Sequence, residues 1–181
     1  MKKDLASVNN IIIDFDGVLT DNTVITDENG KESVICNRSD GLGIRLINKH
    51  SLLRAKEIKM FVLSTERNKV VRERCKKLKI KCYQGIEDKG YFLDKYTKEG
   101  EEQNGYTEEK VILYIGNDLN DIPVIPHIDI LAVPADGHPL LRSKADIQLK
   151  CIGGKGVMRE IAEMLINIEE MPISELQELL K

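Results

Sequence analysis

With 181 residues the chain is long enough for one domain with a hydrophobic core and short for two. Its 41% hydrophobic and 31% charged residues suit a soluble globular fold, and a net charge of −3 argues against a nucleic-acid surface. No stretch approaches the roughly 20 apolar residues that cross a bilayer, so no membrane partner is expected.

The start, MKKDLASVNN, has two lysines but no following apolar run of signal-peptide length, and a reducing cytoplasm is the expected location. Residues 10–15 (NIIIDF) read as a buried strand that runs into Asp14 and Asp16, two carboxylates in quick succession. Residues 22–37 have β-rich halves around DENGK, where Asn29-Gly30 can take φ > 0, which predicts a hairpin flap beside that strand end. Helical spacing over 41–57, 67–79, 89–103 and 119–128 then alternates with strand-like runs at 58–64, 81–85, 110–116 and 130–134. The basic cluster at 72–81 (RERCKKLKIK) reads as the solvated face of a helix. A glycine-rich turn at 151–156 feeds an amphipathic helix to residue 166. MPISELQELLK reads as a last helix with Ser174 as N-cap and Gln177 three residues on.

This alternation predicts an α/β fold: one Rossmann-like, doubly wound parallel sheet with helices on both faces, spanning 1–181 as a single domain with the hairpin at 22–37 and a helical tail at 167–181. Cys36, Cys75, Cys82 and Cys151 show no C-x-x-C spacing, and His50, His127 and His138 are isolated, so neither zinc nor a disulfide framework is suggested.

Open parallel sheets bind ligands beyond the carboxyl ends of their strands. Those ends carry Asp14 and Asp16; Ser64, Thr65 and Glu66; Asp88 and Lys89; and Asn117, Asp118 and Asp121. Clustered carboxylates repel one another unless a cation sits among them, and hard oxygen ligands suit Mg²⁺. A hydroxyl, backbone N–H groups and an ammonium are what a phosphate needs. The set predicts metal-assisted phosphoryl transfer with a carboxylate as the attacking group.

In order and spacing, DFDGVLTD, LST, DK and GNDLND resemble the four motifs of the haloacid-dehalogenase-like phosphatase superfamily. DGVLTDN, SDGLGIRLI, QGIEDK and GGKGVMRE further resemble its capless branch. That branch comprises the 3-deoxy-D-manno-octulosonate 8-phosphate phosphatases, the nonulosonate 9-phosphate phosphatases and the phosphatase-like domain of acylneuraminate cytidylyltransferases. The resemblance implies a Mg²⁺-dependent phosphatase in sialic acid or lipopolysaccharide biosynthesis. It makes Asp14 the nucleophile and a metal ligand. Asp16 becomes the general acid/base, with its carbonyl on the metal. Ser64 becomes the phosphate-binding hydroxyl, assisted by the Thr65 N–H, and Lys89 the charge that offsets nucleophile and phosphoryl oxygens. The superfamily commonly has Asp where Asn117 stands, so the metal is expected to take either Asn117 or Asp118, with Asp121 orienting Lys89 or waters.

Glu66 bears on the substrate. Octulosonate phosphatases usually show Gly-Arg after the second-motif hydroxyl, whereas nonulosonate phosphatases resemble this chain in having Glu there and a lysine further on, which matches Lys77. Arg74 lies one turn before Lys77 on the expected helix, and both are expected to meet the substrate carboxylate. A nonulosonate 9-phosphate is the expected substrate, with octulosonate 8-phosphate as the alternative. Capless relatives close their open sites by forming tetramers, so a homotetramer is expected. The other alternative is a non-catalytic assembly domain associated with a cytidylyltransferase.

Overall fold

The computed structural model describes residues 4–55, 57–99 and 110–181. Its centre is a run of isoleucines. Strand β1 (Asn10–Ile13) is buried along its whole length, as a strand with a neighbour on each edge and helices on each face must be. It pairs in parallel with β4 (Lys59–Leu63) on one side and β6 (Ile112–Ile115) on the other. The sheet continues outward to β5 (Lys81–Tyr83) beyond β4, and to β7 (Ile130–Val133) and β8 (Ile147–Gln148) beyond β6. All its neighbouring pairs are parallel. The order β5-β4-β1-β6-β7-β8 is doubly wound, with the chain leaving β1 toward one edge and returning beside it as β6. That reversal opens a crevice at the carboxyl ends of β1 and β6.

The period-2 pleat sorts the strand side chains into two cores. Ile11, Ile13, Val62, Leu113 and Ile115 face one layer; Ile12, Phe61, Leu63, Ile112 and Tyr114 face the other. The first layer is closed by α1 (Arg38–Leu53), α2 (Lys69–Leu78) and α5 (Val157–Ile166), which contribute Ile44, Ile47, Val71, Cys75, Met158 and Ile161. The second is closed by α3 (Lys89–Glu99), by a 3-10 helix at Leu119–His127 and by the short α4 (Pro139–Arg142). Asp40, fully buried near the start of α1, accepts the Met158 N–H at 2.9 Å and so serves the open amino end of α5, whose own N-cap is Gly156.

The predicted hairpin is present as β2 (Ile25–Thr26) and β3 (Glu32–Ser33), paired antiparallel and closed at its base by a Thr20–Cys36 bridge. Of the expected Asn29-Gly30 pair only Gly30 has positive φ, +74°. The turn is tied instead by Asp27, whose Oδ1 accepts the N–H groups of Asn29 and Lys31.

Other boundaries differ from the sequence expectation for identifiable reasons. Helix α1 begins at Arg38 rather than 41, because the Asn37 side chain caps it by accepting the Ser39 N–H. Strand β8 and α4 had no apolar run to announce them. The last helix, α6 (Ile173–Leu180), has Pro172 at its N-cap, so Ser174 lies inside the first turn and is not the cap. Proline's fixed φ and missing N–H suit that entry. The end of the expected helix at 89–103 lies outside the described residues. His138 accepts the Leu140 N–H through Nδ1 and caps α4, a structural duty for one of the isolated histidines. Among the described residues no helix is long and apolar enough to cross a membrane.

Candidate active site

Asp14 is the first residue beyond β1, and its N–H still donates to Ile115 O at 2.9 Å, so the β1–β6 ladder holds its backbone. Its carboxylate Oδ1 accepts the Phe15 N–H at 2.7 Å and lies 2.9 Å from Lys89 Nζ. Lys89 opens α3 on the second core layer and is buried, with its ammonium also 2.7 Å from Asp121 Oδ1. Asp121 is the organising group behind the site. Its Oδ1 also accepts the Tyr114 hydroxyl at 2.6 Å, and its Oδ2 accepts the N–H groups of Asn117 at 2.8 Å and Asp118 at 3.2 Å. One buried carboxylate thus fixes the lysine and the turn that follows β6.

These contacts set the electrostatics. Burial, and then repulsion from Asp121, raises the Asp14 carboxyl to about 7 although Lys89 pulls it down. Burial works against the charge on Lys89, but Asp14 and Asp121 together outweigh it and raise the lysine above its usual range. Asp16 is half-buried and also raised, by desolvation first and by the nearby Glu66 second. Its Oδ1 accepts the Thr20 hydroxyl at 3.4 Å.

Asp14, Asp16, Thr65, Asn117 and Asp118 line a single cavity of about 310 Å³ in the crevice between β1 and β6. Three separate stretches of chain, those following β1, β4 and β6, therefore meet there, and Lys89 reaches the site through its contact with Asp14. Gly17 makes one approach possible: with φ +77° and no side chain, it lets the Asn117 amide pack where a Cβ would sit 1.8 Å from Nδ2. Asp118 caps the 3-10 helix at 119–127, accepting the Leu119 N–H at 2.7 Å while still facing the cavity.

The two hydroxyl residues of the second motif are placed differently. Ser64 is 1% exposed, and its N–H donates to Tyr83 O, which keeps it in the sheet. Its Oγ accepts the Glu66 N–H at 3.0 Å. Thr65 is the residue that reaches the cavity. Of the two residues it is Thr65 that shares a cavity with Asp14, with Ser64 holding the turn behind it.

Glu66, Arg74 and Lys77 do not line this cavity within one chain. Glu66 Oε1 accepts the N–H groups of Arg67 and Asn68, each at 2.6 Å, so it braces the entry to α2. Arg74 is half-buried and donates through Nη2 to Asn37 O at 2.8 Å, whereas Lys77 is exposed. Arg74 is thus tied to the residue that caps α1, while Lys77 has its side chain exposed. Conversely, Asn22, Leu119 and Asn120 line the cavity without having been singled out from the sequence. Leu119 and Asn120 fall inside the quoted GNDLND stretch and Asn22 closes the quoted DGVLTDN stretch, so proximity to a motif was an available signal for all three.

Comparison with known proteins places the chain among phosphatases. No family model matches the chain. It is 32% identical over 157 residues to the 3-deoxy-D-manno-octulosonate 8-phosphate phosphatase KdsC of Escherichia coli K12, covering 86% of this chain and 78% of that one. Among solved structures, the cobalt-bound deoxy-D-mannose-octulosonate 8-phosphate phosphatase of Haemophilus influenzae superposes with a TM-score of 0.75 at 30% identity, covering 91% of both chains. The 3-deoxy-D-manno-octulosonate 8-phosphate phosphatase of Moraxella catarrhalis, in complex with magnesium, phosphate and KDO, gives a TM-score of 0.75 at 25% identity over 90% of this chain and 88% of that one. A Rossmann-like sheet, carboxylates at its switch point and identity along most of the chain converge: this is a phosphoric monoester hydrolase, and it belongs to the KdsC-type phosphatases of the haloacid-dehalogenase-like family.

Proposed function

We propose that the chain is a Mg²⁺-dependent phosphatase that hydrolyses a 2-keto-3-deoxy sugar acid phosphate through an aspartyl-phosphate. The observation that carries this reading is the pairing of a buried, lysine-contacted Asp14 with Asp16 and Thr65 on one small cavity. Asp14 attacks phosphorus. Asp16, whose raised pKa suits proton transfer, gives its proton to the departing sugar oxygen and later takes one from the attacking water. The Thr65 hydroxyl and N–H hold phosphoryl oxygens, and Lys89 offsets the negative charge as nucleophile and phosphate approach.

The donor set fits a divalent cation. Among the described residues no three His, Cys, Asp or Glu side chains are placed to hold a metal by themselves. The ligands would instead be mixed: the Asp14 carboxylate, the Asp16 carbonyl and the Asn117 amide oxygen, with Asp118 beside them. Such hard oxygen ligands, completed by water, suit Mg²⁺. A carboxylate pushed up to about 7 is also one that an added positive charge would keep ionised. When bound, Mg²⁺ supplies charge that screens the phosphate from its nucleophile.

Relatives that act on octulosonate 8-phosphate favour that substrate, while Glu66 at the second motif favours a nonulosonate 9-phosphate. Arg74 and Lys77 then serve the substrate carboxylate across a subunit boundary. A homotetramer is supported by the hairpin, which leaves Val24, Ile25 and Ile35 half-exposed beside the cavity-forming loop.

A panel of octulosonate 8-phosphate, nonulosonate 9-phosphate and phenyl phosphate, assayed with Mg²⁺ and with a chelator, tests this. Release of phosphate should depend on the metal and favour the sugar acids, and the ratio of kcat/KM between the two acids assigns the chain length. Equal turnover of phenyl phosphate, or full activity in chelator, would overturn the reading.

A further inference from the structure

Asn22 stands on the cavity wall with a backbone φ of +62°, in the left-handed region. Asparagine tolerates that region better than most residues, yet glycine enters it without strain. The surrounding structure holds it there from two sides. Thr20, fully buried, accepts through Oγ1 the N–H groups of both Gly17 and Asn22, each at 3.2 Å, and its hydroxyl contacts Asp16. From behind, the Gly154 N–H donates to Val18 O at 3.0 Å, and Gly154 lies so close that a Cβ would come within 2.5 Å of the Asp21 nitrogen. The glycine-rich turn before α5 thus clamps the loop after β1. A side chain retained in a strained, braced position on a cavity wall points to use of that side chain.

The rest of the wall indicates the use. Asn120 and the exposed Leu119 complete the lining, and no Lys or Arg is among the lining residues. The cavity is therefore anionic around Asp14, Asp16 and Asp118, and otherwise carries neutral amides, Thr65 and one aliphatic side chain. A cation at position 22 would compete for those carboxylates, and an added carboxylate would repel a phosphate ester. A carboxamide offers one acceptor and two donors without net charge, which matches hydroxyl groups on a carbon chain. Through Thr20, Asn22 is also tied to Asp16, the group that meets the leaving oxygen.

We propose that Asn22, together with Asn120, forms a hydroxyl-recognising subsite for the leaving group, with Leu119 against its C–H surface. Asn22 binds the polyhydroxylated chain next to the ester oxygen and thereby selects polyol and sugar phosphates over aryl or simple alkyl ones. This rests on the proposed reaction at Asp14 but not on which sugar acid is used.

Asn22→Gly is the decisive variant, because glycine accepts the backbone conformation and removes only the carboxamide. Its probes are sorbitol 6-phosphate, octulosonate 8-phosphate and phenyl phosphate. The preference for sorbitol 6-phosphate over phenyl phosphate, as a ratio of kcat/KM, should fall about five- to tenfold, the scale of one neutral hydrogen bond, mainly through KM. The melting temperature should hold or rise. Asn22→Ala should show the same loss of preference with a lower melting temperature. An unchanged ratio, or equal losses on the hydroxylated and aryl esters, would overturn the subsite. Wild-type turnover of sorbitol 6-phosphate with none of the sugar acid would sink the sugar-acid reading and leave the subsite standing.

Discussion

Asp14→Asn should abolish Mg²⁺-dependent phosphate release, by about 10⁴-fold or more, the scale seen when an attacking side chain is removed. An amide is isosteric with the carboxylate but is no nucleophile at phosphorus. The structure predicts that the variant folds. Its Oδ1 can keep the Phe15 N–H bond now made at 2.7 Å, and Lys89 keeps its 2.7 Å contact with Asp121. Burial and Asp121 both oppose the charge on Asp14, so neutralising it removes repulsion from the site. Phosphate release and calorimetry should therefore separate: activity lost, melting temperature unchanged or higher, oligomeric state unaltered. Activity within tenfold of wild type would mean that another group attacks phosphorus.

Asp121→Ala should have the opposite balance, with its largest effect on stability. Four donors converge on this carboxylate: Lys89 Nζ, the Tyr114 hydroxyl and the N–H groups of Asn117 and Asp118. Tyr114 is buried, so its phenol has no water as a substitute. Lys89 keeps its 2.9 Å contact with Asp14, so the cost falls on the phenol and the two N–H groups left without an acceptor, about 3–5 kcal/mol together. For a chain of this size that lowers the melting temperature by about 6–20 °C. Activity should fall as well, since the Asn117–Asp118 turn loses the acceptor that positions it. Asp121→Asn retains one oxygen and should fall between wild type and alanine. Loss of less than about 1 kcal/mol in denaturant unfolding would show that the network tolerates an empty centre.

The contrast between these two aspartates explains what the sequence could reveal. Asp14 was legible because an apolar strand ending in a carboxylate is unusual, and buried parallel strands announce themselves as continuous runs such as NIII in β1 and ILYI in β6. Asp121 was visible as a motif residue, but its four bonds depend on how β6, α3 and the 3-10 helix pack, which no spacing encodes. Ser64 and Thr65 differ by one residue, and which of them lines the cavity depends on where the sheet lets the chain go. Ser64 is still bonded to Tyr83 O and Thr65 is the first residue free to turn. The spacing of Arg74 and Lys77 set the direction of each Cα–Cβ bond, not the end of a long side chain; Arg74 folds onto Asn37 O. The role of Asn22 was hidden for another reason. It follows from a positive φ imposed by Thr20 and Gly154, contacts made 2 and 132 residues away in the chain.

Trapping the phosphoryl group on its acceptor is the most direct examination of the central claim. A crystal structure with Mg²⁺ and beryllium trifluoride should show the fluoride adduct on an Asp14 oxygen, with the Thr65 hydroxyl and Lys89 around it and the cation shared by Asp14, the Asp16 carbonyl and Asn117 or Asp118. An adduct on any other side chain, or a cation bound away from Asp14, would contradict the account.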